Sequence, residues 1–106
     1  MAQAHEIVAK GLAIFAAHKG DPKQCIVTSV NFGRDTDCLA AVAGGLSGAL
    51  AGASALPEDW IKTVNEATQV DPYTNNKRTI DETADGLYEA FQARKKRLAD
   101  YVSLMG

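Results

Sequence analysis

The chain has 106 residues, enough for one domain with a modest core, and a formal net charge of -2. Its 13 acidic residues outnumber 11 basic ones, which leaves no positive footprint for nucleic acid or an anionic membrane surface. Two cysteines, Cys25 and Cys38, are too few for a disulfide scaffold, and Glu6 and Lys10 interrupt any apolar leader, so a reducing, cytoplasmic setting is expected.

The segments read as helices throughout. Residues 3–18 place Ile7, Val8, Leu12, Ile14 and Phe15 at mainly helical spacing, and GDP at 20–22 closes the segment. Asp21 can cap a second helix that has Pro22 at its first position. In the stretch QCIVTSV at 24–30, the β-branched Ile26, Val27, Thr28 and Val30 would also suit a strand. It is too isolated for a sheet, and helix is preferred. NFGRDTD at 31–37 reads as a turn, with Gly33 free to adopt backbone angles that other residues resist.

An uncharged run from Cys38 to Pro57 follows, long enough to span a bilayer. It is mostly Ala, Gly and Ser, which add little transfer free energy, and neither an aromatic belt nor a basic flank brackets it. A buried helix over about 37–52 is therefore expected. Gly44, Gly48 and Gly52 recur every fourth residue there, with Ala40 continuing the row. Each mid-helix glycine costs about 1 kcal/mol relative to alanine. The row predicts a close helix–helix approach along it, or a tight core that only small residues fill.

Pro57, Glu58 and Asp59 start the next helix, which runs to about Thr68 with Trp60 as a core anchor. DPYTNNKRT at 71–79 is turn-rich. Thr79 and Glu82 have capping-box spacing and open the last helix. In it Ile80, Thr83, Ala84, Leu87, Tyr88, Phe91, Leu98, Tyr101 and Val102 form a stripe at helical period, and RKKR at 94–97 reads as a solvated face. The expected architecture is a single all-α domain over 1–106, with four to five helices packed around the central Gly/Ala-rich helix.

The functional question lies in Asp35 and Asp37, ahead of that helix. Capping by Asp35 or Thr36, worth about 1 kcal/mol, accounts for one acid. A second carboxylate beside it repels unless a cation lies between them. Arg34 can be that cation; so can a metal, because oxygen-rich D-x-D arrangements suit hard ions such as Mg²⁺, Ca²⁺ or Mn²⁺. Spacing leaves these alternatives open. The polar loop 73–78 can contact a nucleotide through Tyr73, Asn75, Asn76 and Arg78, or simply turn the chain. His5 and His18 lack ligand-spaced partners and read as surface or helix-end residues, while Cys25 reads as buried. Phosphate-cradling glycine loops and zinc-finger spacings are absent from the sequence.

Three ordered elements carry a family resemblance: GRDTDC at 33–38, LAAVAGGLSGALAG at 39–52 and LPEDW at 56–60. Together they resemble the last third of the ADP-ribosylglycohydrolase family, whose pattern is G-G-D-x-D-[TS], a small-residue helix and an I/L-P-x-x-W segment. Weaker similarity extends from Glu6 to Phe91. The resemblance implies an all-α fold with a binuclear Mg²⁺ site that removes ADP-ribose from modified side chains or small molecules. It implies Asp35 and Asp37 as metal ligands and the position of Cys38 as a third. Gly33, Arg34 and Asn75 are the candidates to face an ADP-ribose-type ligand.

The sequence departs from the family pattern in three ways. Arg34 stands where the second glycine is usual, placing a bulky cation where backbone normally lies against the site. Cys38 replaces Thr or Ser, and a thiol is a poor partner for magnesium, although a small residue of this kind suits a buried position. Family members are much longer and draw their remaining ligands from an N-terminal Thr-Asp-Asp-type motif. No adjacent Asp-Asp occurs here, and Glu58–Asp59 and Asp81–Glu82 read as first-turn helix acids. The expectation is a truncated domain with half of a binuclear site, not hydrolytic alone, which acts with a complementary N-terminal half. The alternative is a non-enzymatic helical interaction module derived from that fold, a homo-oligomer that covers the apolar surface. A third reading is a mononuclear metal- or nucleotide-binding protein.

Overall fold

The computed structural model describes residues 4–73 and 77–106. Among these are five α-helices and no strand: α1 (Ala4–Ala17), α2 (Pro22–Asn31), α3 (Thr36–Ala51), α4 (Glu58–Val70) and α5 (Ile80–Leu104), with a 3-10 turn at Ala53–Ala55. The ambiguous 24–30 stretch is helical, and its start follows from local chemistry. The Asp21 carboxylate accepts a hydrogen bond from the Gln24 N–H at 3.2 Å, and Pro22, which has no N–H to satisfy, fills the first turn. At α5 the capping box is complete: Thr79 Oγ1 accepts from the Glu82 N–H at 3.2 Å, and Glu82 Oε2 accepts from the Thr79 N–H at 2.8 Å. No described helix is long and apolar enough to cross a membrane.

The chain divides into two compact units, one ending at Trp60 and the other beginning at Ile61. In the first, α3 packs most extensively on α2 and next on α1. Ile14, Cys25, Leu39 and Ala43 form its buried apolar core. Two serines, Ser29 and Ser47, are fully buried as well. Each hydroxyl donates to the carbonyl one turn back, Cys25 O and Ala43 O respectively, at 2.7 Å, so neither is left unsatisfied in the core. His18 keeps its expected helix-end place, with Nε2 2.7 Å from Thr28 Oγ1.

The central helix is less enclosed than its composition predicts. Its buried face is Leu39, Ala43 and Ser47, whereas Leu46 and Leu50 are exposed. The glycine row does not mediate a backbone approach along its length. A Cβ at Gly44 would lie 3.0 Å from Ile26 Cγ1, but nothing lies within 4 Å at Gly48 or Gly52. A close approach to α3 comes from α1. A Cβ on the buried Gly11 would meet Val42 Cγ1 at 2.7 Å, so the absence of a side chain there lets α1 seat on α3. Two small surfaces facing each other need only one glycine at the crossing.

In the second unit neither α4 nor α5 buries a residue. Side-chain hydrogen bonds organise its loop. Asn65 Oδ1 accepts from the Ile80 N–H at 2.9 Å, Gln69 Nε2 donates to Lys77 O at 2.8 Å, and Asp71 Oδ1 accepts from the Tyr73 N–H at 2.8 Å. The last of these is an Asx turn that starts the connection.

Candidate functional site

The turn that enters α3 is built from two consecutive left-handed residues, Gly33 at φ 90° and Arg34 at φ 64°. Glycine enters that region freely; an arginine there carries backbone strain of about 1–2 kcal/mol. The conformation brings the Thr36 N–H to Arg34 O at 2.9 Å and starts the α3 ladder with the Leu39 N–H on Asp35 O at 3.2 Å. The backbone at 34 therefore keeps the shape a glycine would give, although the residue is Arg34.

Within this turn Asp35, Asp37 and Cys38 converge. One carboxylate oxygen of each aspartate and the Cys38 Sγ all lie within 4.8 Å of one another. Asp35 is half-buried, whereas Asp37 and Cys38 are exposed. Asp35 occupies the N-cap position, yet its side chain makes no capping hydrogen bond to the helix N–H groups. The Cys38 backbone N–H nevertheless helps to hold the Asp35 carboxyl in its charged form, a weak remnant of the expected cap. Hydrogen bonding to the Asp37 side chain, and then to the Cys38 thiol, holds the Asp35 carboxyl below the usual carboxylate value. The Cys38 thiol moves the other way, because it donates to the Asp35 carboxylate and sits in that carboxylate's field, with Asp37 adding to it.

Arg34 does not fill the place of a cation between the two acids. Its guanidinium turns back to α1 and pairs with Glu6 Oε1 at 3.2 Å. Glu6 also pairs with Lys10, whose ammonium lies 5.2 Å from the centre of the Phe32 ring. Arg34, Glu6, Lys10 and Phe32 thus clamp the turn onto α1. The pairing of Glu6 with Arg34 links residues far apart in the chain. Cys38, though small, is not buried, because the first turn of α3 places it on the open side. Asn75 lies outside the described residues.

The donor set fits a hard divalent cation in part. Two carboxylates are suitable oxygen ligands for Mg²⁺ or Mn²⁺, which readily keep water in their remaining positions. The thiol is a poor third ligand, since its neighbours hold its proton on. A second concavity in the same unit escaped the sequence reading. It is an apolar cleft of about 300 Å³ lined by Ile26, Val27, Val30, Asn31 and Trp60. It explains Trp60, which is half-buried against α2. It has no ionisable group, so it can seat apolar surface and nothing reactive.

The architecture is thus an all-α chain with a carboxylate pair set at the start of a small-residue helix. A sequence model of the ADP-ribosylglycohydrolase family matches residues 2–97, and the chain belongs to that family. No curated protein and no solved structure matches it significantly.

Proposed function

We propose that this chain contributes the Asp35/Asp37 half of a divalent-metal site of the ADP-ribosylglycohydrolase type. The remaining ligands, on this reading, come from a separate N-terminal half, and the chain alone does not hydrolyse ADP-ribosyl bonds. The observation that carries the reading is the carboxylate pair itself: two acids with ligand oxygens within 4.8 Å, while the neighbouring Arg34 is committed to Glu6. Close carboxylates repel one another once both are ionised, and a divalent ion removes that repulsion.

Asp35 and Asp37 would hold the ion, and Mg²⁺ is the family's choice. The chemistry it would supply is positive charge beside a ribose oxygen or water. The chain's own groups set the rest. Arg34, tied to α1, holds the turn in its left-handed form and keeps both carboxylates on one side. Cys38 keeps its proton and adds no negative charge to the pair. An ADP-ribose-type ligand would lie against Gly33 and Arg34.

Titration calorimetry with Mg²⁺ and Mn²⁺ tests this. Weak binding, with Kd on the order of 10⁻³ M for so few protein ligands, is expected, and Asp37→Ala should abolish it. Hydrolysis of an ADP-ribosylated peptide should appear only when an N-terminal family segment is added. Binding that survives Asp37→Ala, or none in the wild type, removes the metal half of the proposal.

A further inference from the structure

The residues that would hold the ion also bear on which ion it is. Asp35, Asp37 and Cys38 bring two carboxylate oxygens and one sulfur within 4.8 Å of one another. All three stand within four consecutive residues, so their grouping is set inside the turn that opens α3. Asp37 and Cys38 are exposed and Asp35 is half-buried, which leaves the donors open to an ion from solvent. Arg34, the cation beside them in sequence, is paired with Glu6.

Donor chemistry decides between cations. Mg²⁺ demands near-ideal octahedral coordination by hard oxygen and gains little from sulfur. Two carboxylates leave such an ion mostly to water, with the Cys38 thiol beside it unused. Zn²⁺ accepts four ligands and takes thiolate and carboxylate together. In its open form it keeps three protein ligands and one position for water or a substrate oxygen. Two carboxylates and one sulfur therefore satisfy Zn²⁺ and do not satisfy Mg²⁺. The difference turns on a single atom: serine or threonine at position 38 would offer a hard oxygen where Cys38 offers soft sulfur.

We infer that Asp35, Asp37 and Cys38 form a three-ligand site for Zn²⁺ in preference to Mg²⁺, with Cys38 as the residue that sets the choice. On coordination Cys38 gives its proton to solvent and binds as thiolate; beside Mg²⁺ it keeps the proton and stays out of the ligand set. The inference rests on the metal half-site proposed above and names its ion. Cys25, the other thiol, takes no part, because it is fully buried in the core of the first unit.

The full chain titrated with Zn²⁺ or with Mg²⁺ alone tests this, with heat and the reaction of Cys38 with a thiol reagent as readouts. Zn²⁺ should bind on the order of 100-fold more tightly than Mg²⁺ and protect Cys38 from the reagent. Saturating Mg²⁺ should leave the labelling unchanged. Co²⁺, a coloured substitute for Zn²⁺, should give thiolate-to-metal absorption in the near ultraviolet that Cys38→Ser removes. Cys38→Ser alters an exposed side chain, so the fold should be retained. It should lower Zn²⁺ affinity about tenfold or more and leave Mg²⁺ affinity unchanged or raised. Asp37→Ala should abolish the protection by Zn²⁺, which separates a built site from binding to a lone thiol. Protection that survives Asp37→Ala overturns the inference. Equal affinity for the two ions, or Zn²⁺ binding that Cys38→Ser does not weaken, overturns it too, and the half-site itself then stands if Asp37→Ala abolishes that binding. A wild-type chain that binds neither ion removes the half-site and the inference together.

Discussion

Arg34 offers the sharpest test of how the entry to α3 is held. Its φ of 64° lies in the left-handed region, directly after Gly33 at 90°. Two substitutions separate backbone from side chain. Arg34→Ala removes the guanidinium and its pairing with Glu6 but keeps a Cβ in the strained conformation. Arg34→Gly removes both. The pairing is worth no more than about 0–1 kcal/mol, because the Arg34 side chain is 59% exposed, and both variants lose it equally. Relief of left-handed strain contributes about 1–2 kcal/mol to the glycine variant alone. The extra freedom of glycine in the unfolded chain takes back about 0.5–1 kcal/mol. Arg34→Gly should therefore be more stable than Arg34→Ala by roughly 0.75 kcal/mol, the middle of a range from zero to about 1.5 kcal/mol. For a domain of this size that is a difference in Tm of about 2–8 °C, readable by circular dichroism at 222 nm. High salt should shrink the gap between wild type and Arg34→Ala while leaving the Gly–Ala difference unchanged, since strain is not screened. An alanine variant as stable as the glycine variant would refute the claim that position 34 is held left-handed.

Four further outcomes concern the packing, a helix cap and the thiols. Gly11→Ala should destabilise the first unit by about 1–3 kcal/mol, because its Cβ would lie 2.7 Å from Val42 Cγ1; Val42→Ala in the same chain should recover part of the loss in a urea titration. Thr79→Ala breaks the capping box and should cost about 1 kcal/mol, seen as lower helix content for α5 by circular dichroism. A thiol reagent should label Cys38 in the native protein and Cys25 only after unfolding, since Cys38 is exposed and Cys25 buried. The labelling rate of Cys38 should rise at a higher pH than for free cysteine, because the thiol's raised value delays the thiolate; Asp35→Asn should bring that rise back toward lower pH.

Local chemistry and family pattern together were enough for much of the chain. Asp21 with Pro22 and Thr79 with Glu82 start their helices through bonds spanning three residues, so their sequence spacing already contains the geometry. The 31–37 turn and the nearness of Asp35 to Asp37 follow likewise from adjacency. The GRDTDC, small-residue and LPEDW elements point to the family, and the match over residues 2–97 bears that out.

Other features depend on residues that meet only once the helices pack. Glu6 reaches Arg34 because α1 lies beside the turn, and that pairing, not the D-x-D spacing, decides that no arginine sits between the carboxylates. Gly11 makes the close crossing with α3, and of the Gly44–Gly52 row Gly44 alone lies close to a neighbour, because a crossing touches one or two turns of each helix while the sequence repeats glycine along several. The start of α3 turns Cys38 outward even though its size suits a core. The stripe on α5 was visible as a period in the sequence, yet a period says only that a face is apolar. Within its own compact unit α5 buries none of these residues. The amino-acid order by itself settled where helices begin and which family they serve. Tertiary packing settled which ion pairs form and which helix faces of the first unit are buried, because both depend on what each side chain meets across the fold.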